Sequence, residues 1–247
     1  NQIKKFLLSK YHFSNIRLKS RFLVIGIFCI LFASTGPQIG MKMTELKRKG
    51  IDIMVLLDTS TSMNAVDVKP SRIEKAKYEL NRLIDQLKGD RIGLIAFAGS
   101  AHLHCPLTED YAAAKLFLNM MDTNIILDQG TDLSAAIDLA LSSINRDESK
   151  YKIIILVSDG EEHQGEVILL AEQAKELGVI IHSVGVGSNM GGPIPIYDKD
   201  GEIIEFKKDN NGQVVTSVLN ENILRNISAI TYGEYIRVAN QINAIVP

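Results

Sequence analysis

The chain has 247 residues, 46% of them hydrophobic, enough for one good-sized globular domain with additional segments. Its 27 basic residues nearly balance its 29 acidic ones, a net charge of -2 that lacks the basic excess of a nucleic-acid binder. The two cysteines, Cys29 and Cys105, lie in unlike surroundings and support neither a disulfide framework nor a cysteine-based metal site.

Residues 1–21 hold six Lys or Arg and no acid, and the twelve apolar residues 22–33 follow. No charge appears from 22 to 41, a stretch of the length that a membrane span needs, although Ser34 to Gln38 dilute its second half. A transmembrane helix over 22–41 is the favoured reading. A signal peptide and a buried soluble helix are the alternatives, and no small-x-small cleavage site supports the former. The basic flank places residues 1–21 in the cytoplasm and the following domain outside it, although Lys42 and Lys47 to Lys49 on the far side weaken that asymmetry. Residues 42–49 then read as a linker. The chain opens on Asn1 and stops at Pro247, after the polar Asn240 to Asn243, so it is expected to be a fragment of a longer protein, with 241–247 starting a further linker.

From residue 50 to 240 apolar runs alternate with amphipathic ones. Residues 51–57 read as a buried strand. Ser71-Arg72-Ile73-Glu74 is a capping box, followed by Ala76, Leu80 and Ile84 at helical spacing, with Gly89 closing the helix. Strands are expected at 91–99 and, at an edge, 101–107, and a helix at 110–121. Leu133, Ala136, Ile137, Ala140 and Ile144 define another helix. Residues 152–158 read as a central strand, 165–177 as a helix, 179–187 as a strand, 219–231 as a helix and 234–239 as the last strand. The polar segment 190–217, with its Asp-Gly and Asn-Gly turn signals, reads as a β-hairpin excursion. The expected fold is an open, doubly wound α/β domain, its mostly parallel sheet covered by helices on both faces. In such sheets ligands bind beyond the carboxyl ends of the strands.

At those ends the sequence concentrates oxygen donors. The first strand runs into Asp58-Thr59-Ser60-Thr61-Ser62, the central strand into Ser158-Asp159-Gly160, and Gly130-Thr131-Asp132 opens a helix between them. Asp58, Ser60, Ser62, Thr131 and Asp159 supply two carboxylates and three hydroxyls, with no imidazole or thiolate. This hard-oxygen set suits Mg²⁺, with Mn²⁺ or Ca²⁺ as alternatives. Each residue alone reads more readily as a helix cap. Together, in this order and at these strand ends, they point to a metal site.

This three-part pattern resembles the metal-ion-dependent adhesion site of von Willebrand factor A domains, a Rossmann-like α/β family, over about residues 50–240. The resemblance implies direct metal contact for Ser60 and Ser62, direct or water-mediated contact for Thr131, Asp58 and Asp159, and an open position for a partner's Glu or Asp. The segments GPQIG, KRKGIDIMVLLDTSTSM, LKGDRIGLIAFAGSA and GTDLSAAIDLA resemble the membrane-anchored proteins of the Bacteroides aerotolerance (Bat) family. That branch implies an inner-membrane protein with a periplasmic A domain, and an envelope assembly with other Bat proteins and a MoxR-type AAA+ ATPase.

The expectation is therefore a binding module and not an enzyme. The alternative is a Mg²⁺-dependent phosphotransferase or phosphatase with Asp58 as nucleophile, similar to the haloacid-dehalogenase plan. That plan needs a second Asp where this chain has Ser60. His102 and His104 share a strand face without a nearby third ligand and read as exposed strand residues. Glu161, Glu162 and His163 are expected at the rim of the site. No phosphate-binding loop of the G-x-x-x-x-G-K-[ST] type is present.

Overall fold

The computed structural model describes residues 13–34, 50–144, 151–161, 166–198, 202–209 and 211–238. The chain divides into two units, Asn1–Lys47 and Arg48–Pro247.

In the first unit one helix, α1, runs over Phe13–Ser34. It starts well before the apolar run and takes Arg17, Lys19 and Arg21 into its first turns. Of the expected span at 22–41, the described helix covers 22–34. Within it the twelve apolar residues 22–33 give an apolar length of ~18 Å at ~1.5 Å per residue, against the ~30 Å of a hydrocarbon core. Residues 35–41 lie outside the described ones. Among the described residues no helix is long and apolar enough to cross a membrane. Phe22, Leu23, Val24, Ile25, Ile27 and Phe28 are nevertheless all exposed.

The second unit is built on a six-stranded sheet. Its strands are β1 (Asp52–Asp58), β2 (Arg91–Phe97), β3 (Ala101–Thr108), β4 (Lys152–Ser158), β5 (Val179–Val186) and β10 (Tyr235–Val238), in the order β10-β5-β4-β1-β2-β3. All neighbours are parallel except the edge strand β3, which pairs antiparallel with β2. A strand buried on both faces needs no polar alternation, and all seven residues of β1 are buried. Its odd and even positions serve different cores. Ile53, Val55 and Leu57 pack with Ile73, Ala76, Leu80 and Ile84 of α2 (Arg72–Gln86) and with Ala114 and Leu118 of α3 (Tyr111–Met120). Met54 and Leu56 face the opposite layer, where α4 (Leu133–Ser143), α5 (Val167–Glu176) and α6 (Glu221–Ile230) contribute Ala136, Ile137, Ala171 and Ile227. Each such Leu or Ile, fully buried, contributes roughly 1.5–3 kcal/mol.

The helix starts follow the capping logic in part. Ser71 Oγ accepts from Glu74 N at 3.3 Å, but Glu74 pairs with Lys77 at 2.7 Å, so only half of the expected box forms. Asp132 caps α4, its carboxylate accepting from Ala135 N at 2.8 Å.

The segment 190–217 is not one hairpin. It forms two small antiparallel sheets, β6 (Gly192–Pro193) with β9 (Thr216–Ser217) and β7 (Pro195–Tyr197) with β8 (Ile203–Phe206). Its ends pair with each other, which closes the excursion at its base.

The order of the strands explains where a ligand can bind. From β1 the chain moves to β2 on one side and later returns to β4 on the other. Connections leave the sheet in opposite directions at β1 and β4, and this reversal opens a crevice at their carboxyl ends. Asp58 ends β1, and Asp159 follows the last residue of β4.

Candidate metal centre

Asp58 and Asp159 are both wholly buried, and Ser60, Ser62 and Thr131 keep only 3%, 6% and 5% of their surface. The three hydroxyl residues line a pocket of about 180 Å³, whose other walls include Gln129, Glu161, Ile194, Lys207 and Ser217. Asp58 and Asp159 do not line the pocket but are hydrogen-bonded to residues that do, Asp58 to Ser60 N and Asp159 to Ser217 Oγ.

Local geometry orients each donor. One oxygen of Asp58 accepts from Ser60 N at 2.9 Å, and the other accepts from Ser158 Oγ at 2.6 Å. A short 3-10 turn at Thr61–Asn64 follows, and it brings the Ser60 and Ser62 hydroxyls to 2.9 Å. Gln129 fixes this turn. Its amide oxygen accepts from Thr61 N at 3.1 Å and from the Thr61 hydroxyl, and its NH₂ donates to Ile126 O at 2.8 Å. The Thr131 loop is held by backbone bonds from Gly99 N to Asp128 O at 2.9 Å and from Asp132 N to Ala98 O at 2.7 Å. The helix cap is Asp132, which leaves Thr131 to the pocket.

Asp159 is held by the buried Arg72, which the sequence reading assigned no role beyond the capping box. Nη1 of Arg72 donates to Asp159 at 2.9 Å and to Ser217 Oγ at 2.8 Å. Nη2 donates to Ser217 O at 2.9 Å and to Asp67 at 2.9 Å, and Nε to the other Asp67 oxygen at 2.8 Å. All five guanidinium N–H groups are therefore satisfied. Burial works against the Arg72 charge, but Asp67 and Asp159 outweigh it and hold the group above its ordinary value. Asp67 is pushed up by burial and pulled further down by Arg72 and the Ser188 amide, so it lies below the usual carboxylate range.

Gly160 shows why glycine follows Asp159. Its φ is +74°, and a Cβ there would stand 2.2 Å from Asn220 O. The close approach lets Asp159 O accept from Asn220 N at 2.8 Å, which joins the end of β4 to the start of α6.

Burial, followed by the charge of Asp159, pushes Asp58 up to about 7, although hydrogen bonds from Ser158 and Ser60 oppose the shift. Two carboxylates this close under a cluster of hydroxyls form a ready counter-charge for a cation. Among the described residues no group of three or more His, Cys, Asp or Glu could hold a metal ion. A site here would therefore depend on its hydroxyls, a donor set that fits Mg²⁺ with retained waters. The expected rim is described only at Glu161, which accepts from Ser217 Oγ at 2.8 Å. Glu162 and His163 lie outside the described residues. On β3, His102 is exposed and contacts Ser100 Oγ at 3.2 Å, while His104 is half-buried.

Comparison with known proteins agrees with this architecture. The von Willebrand factor type A domain model matches residues 53–162. The crystal structure of BatB from Bacteroides thetaiotaomicron superposes with a TM-score of 0.73 at 40% identity, covering 78% of this chain and 92% of that one. An aerotolerance-related membrane protein from Bacteroides fragilis, solved with multiple mutations to serine, gives 0.72 at 40% identity over 77% of this chain and 92% of that one. Proximal thread matrix protein 1 of the mussel byssus, solved with a zinc-occupied MIDAS motif, shares the fold at 18% identity (TM-score 0.56; 77% of this chain, 44% of that one). The chain spans 68%, 64% and 58% of the lengths of the first curated bacterial relatives that it matches, at 26–28% identity.

Proposed function

Because the chain belongs to the von Willebrand factor A domain family, in the branch of BatB and its aerotolerance-related relatives, we propose that it is a Mg²⁺-dependent protein-interaction module. One observation carries the reading. Asp58 and Asp159 are buried side by side under a pocket whose wall presents Ser60, Ser62 and Thr131. In this reading the five residues hold the ion directly or through water, and the ion supplies an electrophilic position for a Glu or Asp of a partner protein. The zinc-occupied MIDAS motif in the mussel fold neighbour supports a divalent ion in this crevice. Other Bat proteins and a MoxR-type AAA+ ATPase are the partners that the branch suggests.

Family members are in general non-enzymatic interaction modules. For this chain the buried state of Asp58 argues against the phosphotransferase reading. It is wholly buried and both its oxygens accept hydrogen bonds, which leaves no free oxygen aimed at a phosphoryl group. We further place the chain at the bacterial inner membrane with the A domain on the periplasmic side. Support comes from the exposed apolar residues of α1, the basic residues before them, and the Bacteroides fragilis relative described as a membrane protein.

The test is Mg²⁺ titration calorimetry on the full chain in detergent, wild type beside Ser60→Ala and the isosteric Asp58→Asn. Saturable binding that both substitutions abolish is the expected result. Binding that is unchanged in both would overturn the site.

A further inference from the structure

The pocket over Asp58 and Asp159 has a wall that does not come from the Rossmann-like sheet. Ile194, Lys207 and Val215, all from the 190–217 excursion, line it together with Ser60, Ser62 and Thr131. Lys207 is fixed through its backbone on both sides. Its N–H donates to Ile194 O at 2.8 Å, and its carbonyl accepts from Val215 N at 2.8 Å. The bridge Lys208–Val214 and the pair Pro195–Phe206 flank it. At the base of the excursion Ser217 accepts two hydrogen bonds from Arg72, the guanidinium that also holds Asp159. Lys207, which follows β8, is bonded to Val215, two residues before the Ser217 that Arg72 ties to Asp159.

The charge on this wall has no ion-pair partner among the described residues. The adjoining Lys208 pairs with Glu205 at 3.1 Å, but no carboxylate among the described residues pairs with Lys207. The Lys207 residue is exposed, so its ammonium is accessible to a ligand. The acid within the same pocket, Glu161, is engaged by Ser217 Oγ and repels an acidic group on its own side.

We infer that Lys207 reads a second acidic group on the ligand, so that the partner segment is di-acidic. One carboxylate sits on the metal, and the neighbouring acidic side chain meets the Lys207 ammonium. This inference rests on the metal-site reading above and adds the chemical class of the ligand to it. Ile194 and Val215 give the same wall apolar surface, against which the stem of an acidic side chain can pack.

The experiment compares two blocked peptides on the Mg²⁺-loaded full chain in detergent. One carries Glu-Glu between glycines and the other Gln-Glu, with affinities read by calorimetry. Wild type is expected to prefer Glu-Glu about fivefold, the range of a partly exposed charge pair, with the preference shrinking as salt is raised. Lys207→Met, which keeps the apolar stem, removes the preference, so that Glu-Glu and Gln-Glu bind alike. Lys207→Glu reverses it. Equal affinity of the wild type for both peptides, or a preference that survives Lys207→Met, overturns the inference and leaves the metal reading intact. Absence of Mg²⁺-dependent binding of either peptide overturns both. The exposed position of Lys207 and its backbone-only anchoring keep both variants foldable, which far-ultraviolet circular dichroism verifies.

Discussion

Replacing Arg72 with Met tests the electrostatic plan of the site. The side chain is fully buried and makes five hydrogen bonds, to Asp67, Asp159 and Ser217. Methionine fills much of the volume and supplies none of them. Asp67 then keeps the amides of Ser188 at 2.7 Å and Val68 at 3.1 Å, while the inner oxygen of Asp159 keeps Ser217 Oγ at 3.2 Å. Removing one partner of a buried ion pair costs about 3–5 kcal/mol because the remaining charge is stranded. That is a large part of the ~5–15 kcal/mol that holds a domain together. Arg72→Lys keeps the charge but loses the fork, so it should cost less. Metal should act in the opposite sense. Without the guanidinium Asp159 is more negative, so Mg²⁺ binds the variant more tightly and restores part of the lost stability. At a hundredfold excess over its own Kd the ion adds about 2.7 kcal/mol to either protein, so at one Mg²⁺ concentration the tighter-binding variant gains more. Urea unfolding of wild type and both variants, in chelator and in saturating Mg²⁺, measures all of this. A loss below about 1 kcal/mol for Arg72→Met in chelator would refute the reasoning, as would a variant that Mg²⁺ stabilises less than the wild type.

Other outcomes follow from single groups. With Asp58 at about 7, Mg²⁺ must displace a proton below that pH, so affinity should fall by up to about tenfold per pH unit below 7 and level off above it; calorimetry across the range checks this. In chelator the same group acts on stability with the reverse sign. Its folded value exceeds the unfolded 3.8, so its contribution is complete below that value and is lost as the pH rises through 7. Asp67 opposes this, since a lowered carboxylate contributes above its ordinary range and loses that contribution on acidification. A chelated domain whose stability responds to pH identically in wild type and Asp58→Asn would contradict the Asp58 assignment. Gly160→Ala should cost about 1–3 kcal/mol, because it combines a positive φ with a Cβ 2.2 Å from Asn220 O, and thermal unfolding reads the loss.

What could be read from the sequence was what local periodicity encodes. The five parallel strands were visible because they are mostly apolar runs, the antiparallel edge strand because it alternates, and the main helices because one face repeats every three to four residues. The two Asp and three hydroxyl residues were visible because they sit where such strands end. Arg72 was not, since its partners lie 5, 87 and 145 residues away and no local pattern marks a long-range guanidinium contact. Ser158 was named only as part of a motif, yet its hydroxyl bonds Asp58 across 100 residues. The excursion misread as one hairpin had turn signals in the right places. Those turns close only its inner pairings, whereas its base is closed by the pairing of Gly192 with Ser217, which Arg72 holds. Near the amino terminus the start of the helix was not legible for a similar reason. Hydropathy marks where charge is absent, whereas the helix extends wherever backbone bonds continue, so α1 begins among the basic residues.

The charge arrangement also bears on how the pocket selects a ligand. Arg72 is matched by the two oxygens of Asp67, so it does not neutralise the crevice as a whole. Asp58 and Asp159 together balance one divalent ion. At the rim Lys207 and Glu161 carry opposite signs. A loaded pocket of this kind is close to neutral, as is the chain at -2. An acidic partner is therefore not drawn in by a long-range field, which would need a large excess of one sign. It is recognised at contact distance, first by the open position of the ion and then by which acid lies beside Lys207. The two contacts differ in salt dependence. An ion bound over buried carboxylates is screened little, whereas the rim pair weakens within a Debye length of about 8 Å at physiological salt. Raising salt should thus erode the choice among acidic partners before it erodes binding itself.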